Sequence, residues 1–222
     1  MKIFSLSVLL VMSLVMNTAK AELITAADIA PEDPYYGLPG NSRVHGWSFT
    51  TTEPIEVTHL GWFDGRGRGT DRPPEHGWVG DGLGGSHSVA IWTTDGTKII
   101  STSVRNIDKY NDKFRYRDVS PTFLAADQTY VIAGLSMSEW TTRDAMAGSS
   151  LAVPLDFTVD PVITFGSGRE KIVSQLEFPE NTNSELWFGP NFRFLIVPEP
   201  AVFISLMIGL FSFVLIQYSV RN

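Results

Sequence analysis

Cysteine is absent from the 222 residues. That excludes disulfides, a thiol nucleophile, zinc–cysteine centres and iron–sulfur clusters. The fold must rest on its apolar core. A sustained helical period is also missing from residues 22–197, which argues against helix bundles and the βαβ alternation of parallel sheets. Basic side chains are scarce, with 17 Lys and Arg against 24 Asp and Glu, for a net charge of −7. Without Lys2 and Lys20, which lie in the leader described next, 15 bases face 24 acids and the count becomes −9. Such a surface argues against nucleic acid and anionic lipid headgroups as partners, and it suits solubility outside the cell and cation binding. No H-E-x-x-H, G-x-S-x-G or comparable catalytic motif is present.

What the chain does have is an apolar run at each end. Lys2 supplies a positive start, residues 3–15 are an apolar core, and Ala19-Lys20-Ala21 fits the small-x-small rule for signal cleavage. Residues 1–21 therefore read as a signal peptide and the mature chain as starting at Glu22, with an uncleaved membrane helix as the alternative. At the other end, residues 201–216 carry no charge, and Ser205 and Ser212 are their polar members. As a helix this run spans roughly 24 Å, close to a bilayer core of about 30 Å. Tyr218 extends it to an interfacial aromatic and Arg221 adds a terminal positive charge. Residues 201–218 are thus expected to form a transmembrane helix. The region between, about 175 residues by this division, is large enough for one domain with a real core.

Pro198-Glu199-Pro200, one apolar helix and a basic end resemble the PEP-CTERM sorting tail of bacterial exported proteins. The resemblance implies that an exosortase-type membrane protease is a partner, cutting near the motif and passing the protein to the cell envelope or outside. One departure stands out: the family usually ends in several arginines and this chain has Arg221 alone. An ordinary tail anchor is the competing reading, since two prolines also mark a boundary between domain and anchor.

Residues 22–42 read as a lead-in with no useful periodicity, and 43–197 as an antiparallel β-sandwich of jelly-roll type. Val44, Gly46 and Ser48 alternate with Trp47 and Phe49 over 44–50. Residues 55–63 begin with Ile55 and Val57 inward and shift phase to Leu60 and Trp62, which predicts a β-bulge beside Gly61. Residues 86–93 and 98–104 flank Asp95-Gly96, which predicts a type I′ hairpin turn. Residues 106–113 read as a polar connection, and 114–119 as a strand with Phe114 and Tyr116 opposite Arg115 and Arg117. A turn over 121–127, a strand over 128–135 and a short helical turn within 137–150 follow. Further strands are expected at 162–165, 172–178, 186–188 and 191–197.

The pieces G-W-S-F-T at 46–50, V-T-H-L-G-W-F-D at 57–64, S-H-S-V-A-I-W-T-T-D-G-T at 86–97, F-R-Y-R-D-V at 114–119, L-A-A-D-Q-T-Y-V-I at 124–132 and F-G-P-N-F-R-F at 188–194 together resemble an uncharacterised β-sandwich domain found before PEP-CTERM tails. The resemblance implies a fold and no activity. Asp127 stands where that pattern has a turn glycine, and the insertion at 65–84 is longer than its counterpart.

Reactive side chains concentrate in and around that Gly-rich insertion. Asp64, Asp71, Glu75, His76, Trp78 and Asp81 are candidates for a ligand or cation loop. Calcium is the cofactor such hard oxygens suit, although the alternating ladder of an EF-hand is missing. Trp78 can stack on a sugar or fold back onto the sandwich. His59 and His87 fall on strands and read as packed or hydrogen-bonded. The overall expectation is a non-catalytic structural or binding protein of the envelope or extracellular matrix, with exopolysaccharide as a possible partner. The alternative is a carbohydrate-binding module or a glycan hydrolase, in which two facing carboxylates would do the work. The loop itself is expected to be dispensable for folding, with Trp78, Val79 and Leu83 as its few apolar anchors.

Overall fold

The structure is a computed structural model that describes residues 22–29, 35–36, 42–64, 83, 85–136, 147–148, 157–183 and 187–197. Both terminal apolar runs lie outside these residues, and so does most of the insertion. The described residues are all-β, with strands β1 (Ile24–Thr25), β2 (Ala27–Ile29), β3 (Tyr35–Tyr36), β4 (Arg43–Thr51), β5 (Ile55–Phe63), β6 (Ser86–Thr93), β7 (Lys98–Arg105) and β8 (Lys109–Asn111) in the first half. The second half contributes β9 (Phe114–Leu124), β10 (Thr129–Ser136), β11 (Ala147–Gly148), β12 (Phe157–Val159), β13 (Ile163–Ile172), β14 (Asn181–Asn183), β15 (Trp187–Phe188) and β16 (Pro190–Ile196).

Two antiparallel sheets carry the architecture. One has the order β1-β16-β5-β9-β8 and the other β14-β13-β4-β10-β6-β7; β15-β11-β3 and β12-β2 are small accessory sheets. The large sheets share one core, an arrangement consistent with a β-sandwich. Trp47 and Phe49 of β4, Ile132 of β10 and Ile91 of β6 meet Ile55, Val57, Leu60, Phe192 and Phe194 of the facing sheet, all essentially out of solvent. Phe49 and Phe192 have ring centroids 4.8 Å apart and tilted, and Trp47 stacks on Phe192 at 6.0 Å. Each such side chain contributes about 1.5–3 kcal/mol on burial. Trp62 fills the other end of the core. It stacks on His87 at 4.1 Å and lies against Gly134, where a Cβ would stand 2.4 Å from the indole. Glycine is needed there by close approach rather than by backbone angle.

The alternation read from the sequence holds for β4, β5, β6 and β10. The bulge in β5 lies elsewhere than expected. The register breaks between Val57 and His59 against both neighbours, so Thr58, not Gly61, absorbs the phase shift. Opposite it, three residues of β9 (119–121) answer one of β5. This is how β9 runs on through Pro121, where a turn was expected: at an irregularity, proline's missing N–H costs no ladder bond.

The hairpin at Asp95-Gly96 forms, but not as type I′. Only Gly96 has positive φ, at 88°, and its N–H donates to Thr93 O at 3.1 Å while Thr93 N–H donates to Thr97 O at 3.0 Å. That is a three-residue loop with Gly in the left-handed position. The two-residue turn with both central φ positive occurs instead at Asp112 (52°) and Lys113 (71°), joining β8 to β9 inside the stretch read as a polar connection. Asp127, at the place where the resembling pattern has glycine, adopts φ 55°, a conformation Asp tolerates better than most residues.

Two more expectations change. The lead-in, in which no period was legible, contributes strands at its described residues. β1 pairs with β16, and Ala26, Ala27 and Ile29 are buried in the main core. Residues 173–178 are not a strand. They cross the outer face of the second sheet, where Val173, Leu176 and Phe178 cover Val44, Ala90, Trp92, Ala133 and Leu135. The helical turn within 137–150 lies outside the described residues apart from β11.

Candidate functional site

Of the six loop candidates, Asp64 alone is among the described residues, at the foot of the insertion. It directly follows β5, and its side chain is fully buried. Its Oδ1 accepts the Leu83 N–H at 2.6 Å, its Oδ2 accepts Arg115 Nε–H, and its own N–H donates to Lys113 O at 2.7 Å. Arg115, in turn, donates from Nη1 to Asp108 O at 2.8 Å and sits 5.7 Å from the Tyr110 ring centroid. Leu83 is fully buried in the main core. Asp64 is therefore an anchor that pins both ends of the insertion to β9. Asp71, Glu75, His76, Trp78 and Asp81 lie outside the described residues, as do Ala19, Ala21, Pro198, Glu199 and Pro200. Among the described residues no group of three or more His, Asp or Glu is gathered as a metal site would require.

Arg115 and Arg117 stand on the opposite face of β9 from Tyr116, as the alternation read from the sequence implied. Partners across an antiparallel ladder share a face, and Arg115 pairs with Trp62, Arg117 with Leu60. Both arginines point to the open edge of the sandwich, where Arg117 donates to Ser103 O of β7 at 2.8 Å. Tyr116 points the other way, beneath the lead-in, and is buried. Burial raises its phenol above the ordinary range, more than its hydrogen bonding and Arg193 lower it. Asn191, also buried, ties this outer layer together: Nδ2 donates to Ala27 O at 2.7 Å and to the Tyr116 hydroxyl at 3.2 Å, while Oδ1 accepts the Ala27 N–H at 3.3 Å.

One cluster not singled out as a unit from the sequence does assemble on the outer face of the first sheet. The β5 bulge turns Thr58 and His59 so that Thr58 Oγ1 lies 2.8 Å from His59 Nδ1, and His59 Nε2 lies 3.0 Å from Asp118 Oδ1. A carboxylate at Nε2 favours the tautomer with the proton there, which leaves Nδ1 to accept from the Thr58 hydroxyl. Desolvation lowers the His59 pKa most; Asp118 raises it, and Arg193 and Lys109 lower it. The ring is thus neutral at pH 7. Donor, base and carboxylate stand in the order a nucleophilic site uses. The Asp118 side chain is 91% exposed, however, so water screens the pair and it contributes little. Catalytic groups work best when neighbouring packing locks them in place, and among the described residues the exposed Asp118 is held only by this contact to His59 and by its strand. The signal that could have revealed the cluster was the bulge: a Thr-His pair at a phase shift, opposite an acid.

His87 is packed, as its strand position implied, with Nδ1 2.9 Å from Leu135 O. His45, inside the sandwich, has its pKa lowered to about 3 by burial first and by Arg43 second.

No protein-family model matches the chain, and no curated protein is significantly similar to it.

Proposed function

We propose that the chain is an exported, non-catalytic protein of the cell envelope or extracellular matrix, delivered by a signal peptide and sorted by a PEP-CTERM tail. In this reading a jelly-roll-like sandwich is the cargo, residues 1–21 are the signal helix, and residues 201–218 are the membrane helix that holds the protein until an exosortase-type protease acts. The observation that carries it is the end of β16. This strand is interior to its sheet, between β1 and β5, and Val197 N–H still donates to Pro54 O at 2.9 Å. The ladder thus continues to the residue before Pro198-Glu199-Pro200, so nothing but the motif separates cargo from apolar run. Each proline fixes φ and disfavours helix in the residue before it. Glu199 favours the interface, since burying it in lipid costs at least ~2 kcal/mol. An extended segment at the membrane edge is what a protease binds.

The test is fractionation of cells carrying Glu199→Ala or Pro200→Ala. Full-length protein should accumulate in the inner membrane while the sandwich is still exported and folded. A wild type that itself keeps its C-terminal helix and stays in the inner membrane would make the tail an ordinary anchor.

A matrix polysaccharide is the partner class that suits this location. Tyr110, 39% exposed with the Arg115 guanidinium near its ring, offers the aromatic face a sugar can stack on. A glycan array with the exported form, compared with Tyr110→Ala, separates binder from non-binder. Turnover of a polysaccharide abolished by His59→Gln would sink the non-catalytic reading.

A further inference from the structure

We infer that Glu22 and Val197, the residues that join the domain to its two terminal apolar runs, lie side by side at one acidic pole of the domain, and that this pole faces the membrane surface while both runs remain attached. The inference rests on the reading of those runs as membrane segments given above. It is carried by the register of β1 on β16. Ile24 is opposite Phe194 and Thr25 opposite Arg193, so the numbers of facing residues add to 218. Two residues further out along each chain stand Glu22 and Ile196. Neighbouring strands are about 4.8 Å apart. Glu22 is joined directly to Ala21, and Val197 directly to Pro198. The proposed signal cut and the sorting motif therefore begin one bond beyond two adjacent points of a single sheet edge.

The pole these points belong to is defined by the rest of the fold. Ile196 faces Ile55, and Ile55 faces Leu124. Thr51 O accepts the Asp127 N–H at 2.7 Å, and Thr52 N–H donates to Val162 O at 2.8 Å, which brings the turns of both sheets together. Thr93, opposite Tyr130, adds the β6–β7 hairpin. The turns 52–54, 94–97, 125–128 and 160–162 contain Glu53, Asp95, Asp127 and Asp160, against one base at their margin, Lys98. The opposite pole is of mixed sign, with Arg105, Lys109, Lys113 and Arg115 standing among Asp64, Asp108 and Asp112. The nine residues of β5 run between them, so the poles are about 30 Å apart.

A leader meets the outer membrane face with its C-terminal end, and a tail meets it with its N-terminal end. Both ends leave the domain from the same place, so one pole accommodates both at once and only the few residues outside each apolar run need cross the bilayer. The acidic turns are repelled by anionic headgroups within a screening length, so the pole rides closer to a zwitterionic surface than to an anionic one.

The absence of cysteine makes this directly measurable. The full chain is produced by cell-free synthesis with phosphatidylcholine vesicles, which contain no processing enzymes, carrying a fluorophore at Glu53→Cys or at Ile107→Cys. Both positions are exposed, and Ile107 belongs to the far pole. With a quencher on the lipid headgroups, the label at 53 should be quenched several-fold more than the label at 107, and less strongly once anionic lipid is added. Equal or reversed quenching in protein that floats with the vesicles overturns the inference and leaves the membrane reading intact. Quenching at 53 that does not fall with anionic lipid overturns the acidic stand-off. Protein that fails to float overturns the membrane reading, and the inference with it.

Discussion

Replacing Asp64 with alanine tests whether the base of the insertion is structural. The carboxylate is fully buried and occupied at both oxygens, by the Leu83 N–H at 2.6 Å and by Arg115 Nε–H. The substitution strands two donors. The Arg115 side chain is only 13% exposed, so its charge loses its counter-ion where water replaces it poorly. Breaking one partner of a buried pair costs about 3–5 kcal/mol. The orphaned Leu83 N–H falls within the same range, because a buried unsatisfied donor costs about 1–3 kcal/mol and the freed loop end can relax. For a domain of this size each kcal/mol moves Tm by about 2–4 °C, so Tm should fall by roughly 6–20 °C. Asp64→Asn keeps an acceptor for Leu83 and should lose about half as much. Urea unfolding of the exported form, followed by tryptophan fluorescence, reads these differences, and the cycle with Arg115→Ala should show coupling above about 0.5 kcal/mol. A loss below about 1 kcal/mol for Asp64→Ala would refute the anchor. A wild type that a chelator destabilises to the level of Asp64→Ala would do the same, returning Asp64 to the cation loop.

The strands that the sequence made legible are the ones with water, or a thin cover, on one side of a long ladder. In β6 and β10 the inward His87, Val89, Ile91 and Tyr130, Ile132 alternate cleanly, so period and register agree. β9 shows why the same reasoning stops short. Its alternation of Phe114 and Tyr116 with Arg115 and Arg117 is real, but both faces are covered, one by the lead-in and one by the β7 edge. Hydrophobicity alone therefore could not say which side the arginines occupy. The lead-in was opaque because β1 and β2 have only two and three residues, too few to express a period. Their place is fixed by a distant residue, Asn191, whose amide serves Ala27 as a neighbouring backbone would. Asp-Gly pointed to a turn and not to its type, since Asp112-Lys113 takes the doubly left-handed form without any glycine. Asp64 looked like a loop acid because its partners, Leu83 and Arg115, lie 19 and 51 positions away.

Gly134→Ala should cost at least about 1–3 kcal/mol by overpacking, because the new methyl meets the Trp62 ring at 2.4 Å and Ser88 O at 2.9 Å; thermal unfolding checks it. His45 binds a proton more readily unfolded, with an ordinary value near 6.5, than folded, at about 3. The unfolded state therefore takes up the proton as pH falls through this window, and stability declines by up to about 1.4 kcal/mol per unit. His45→Leu should flatten that part of the stability profile, and an unchanged slope would show that His45 is not its source. The last outcome concerns the insertion itself. Leu83 belongs to the core and the Asp64 contact fixes it there, so the dispensable part of the loop must end before it. Exchanging residues 65–82 for a short Gly-Ser link keeps both anchors and lengthens or shortens a closed loop, a change whose entropic cost grows only with the logarithm of length. Tm should stay within a few degrees. Leu83→Ala, by contrast, removes a fully buried side chain and should cost about 2–5 kcal/mol. A collapse of the Gly-Ser variant with Leu83 intact would show that residues 65–82, Trp78 and Val79 among them, contribute to the core.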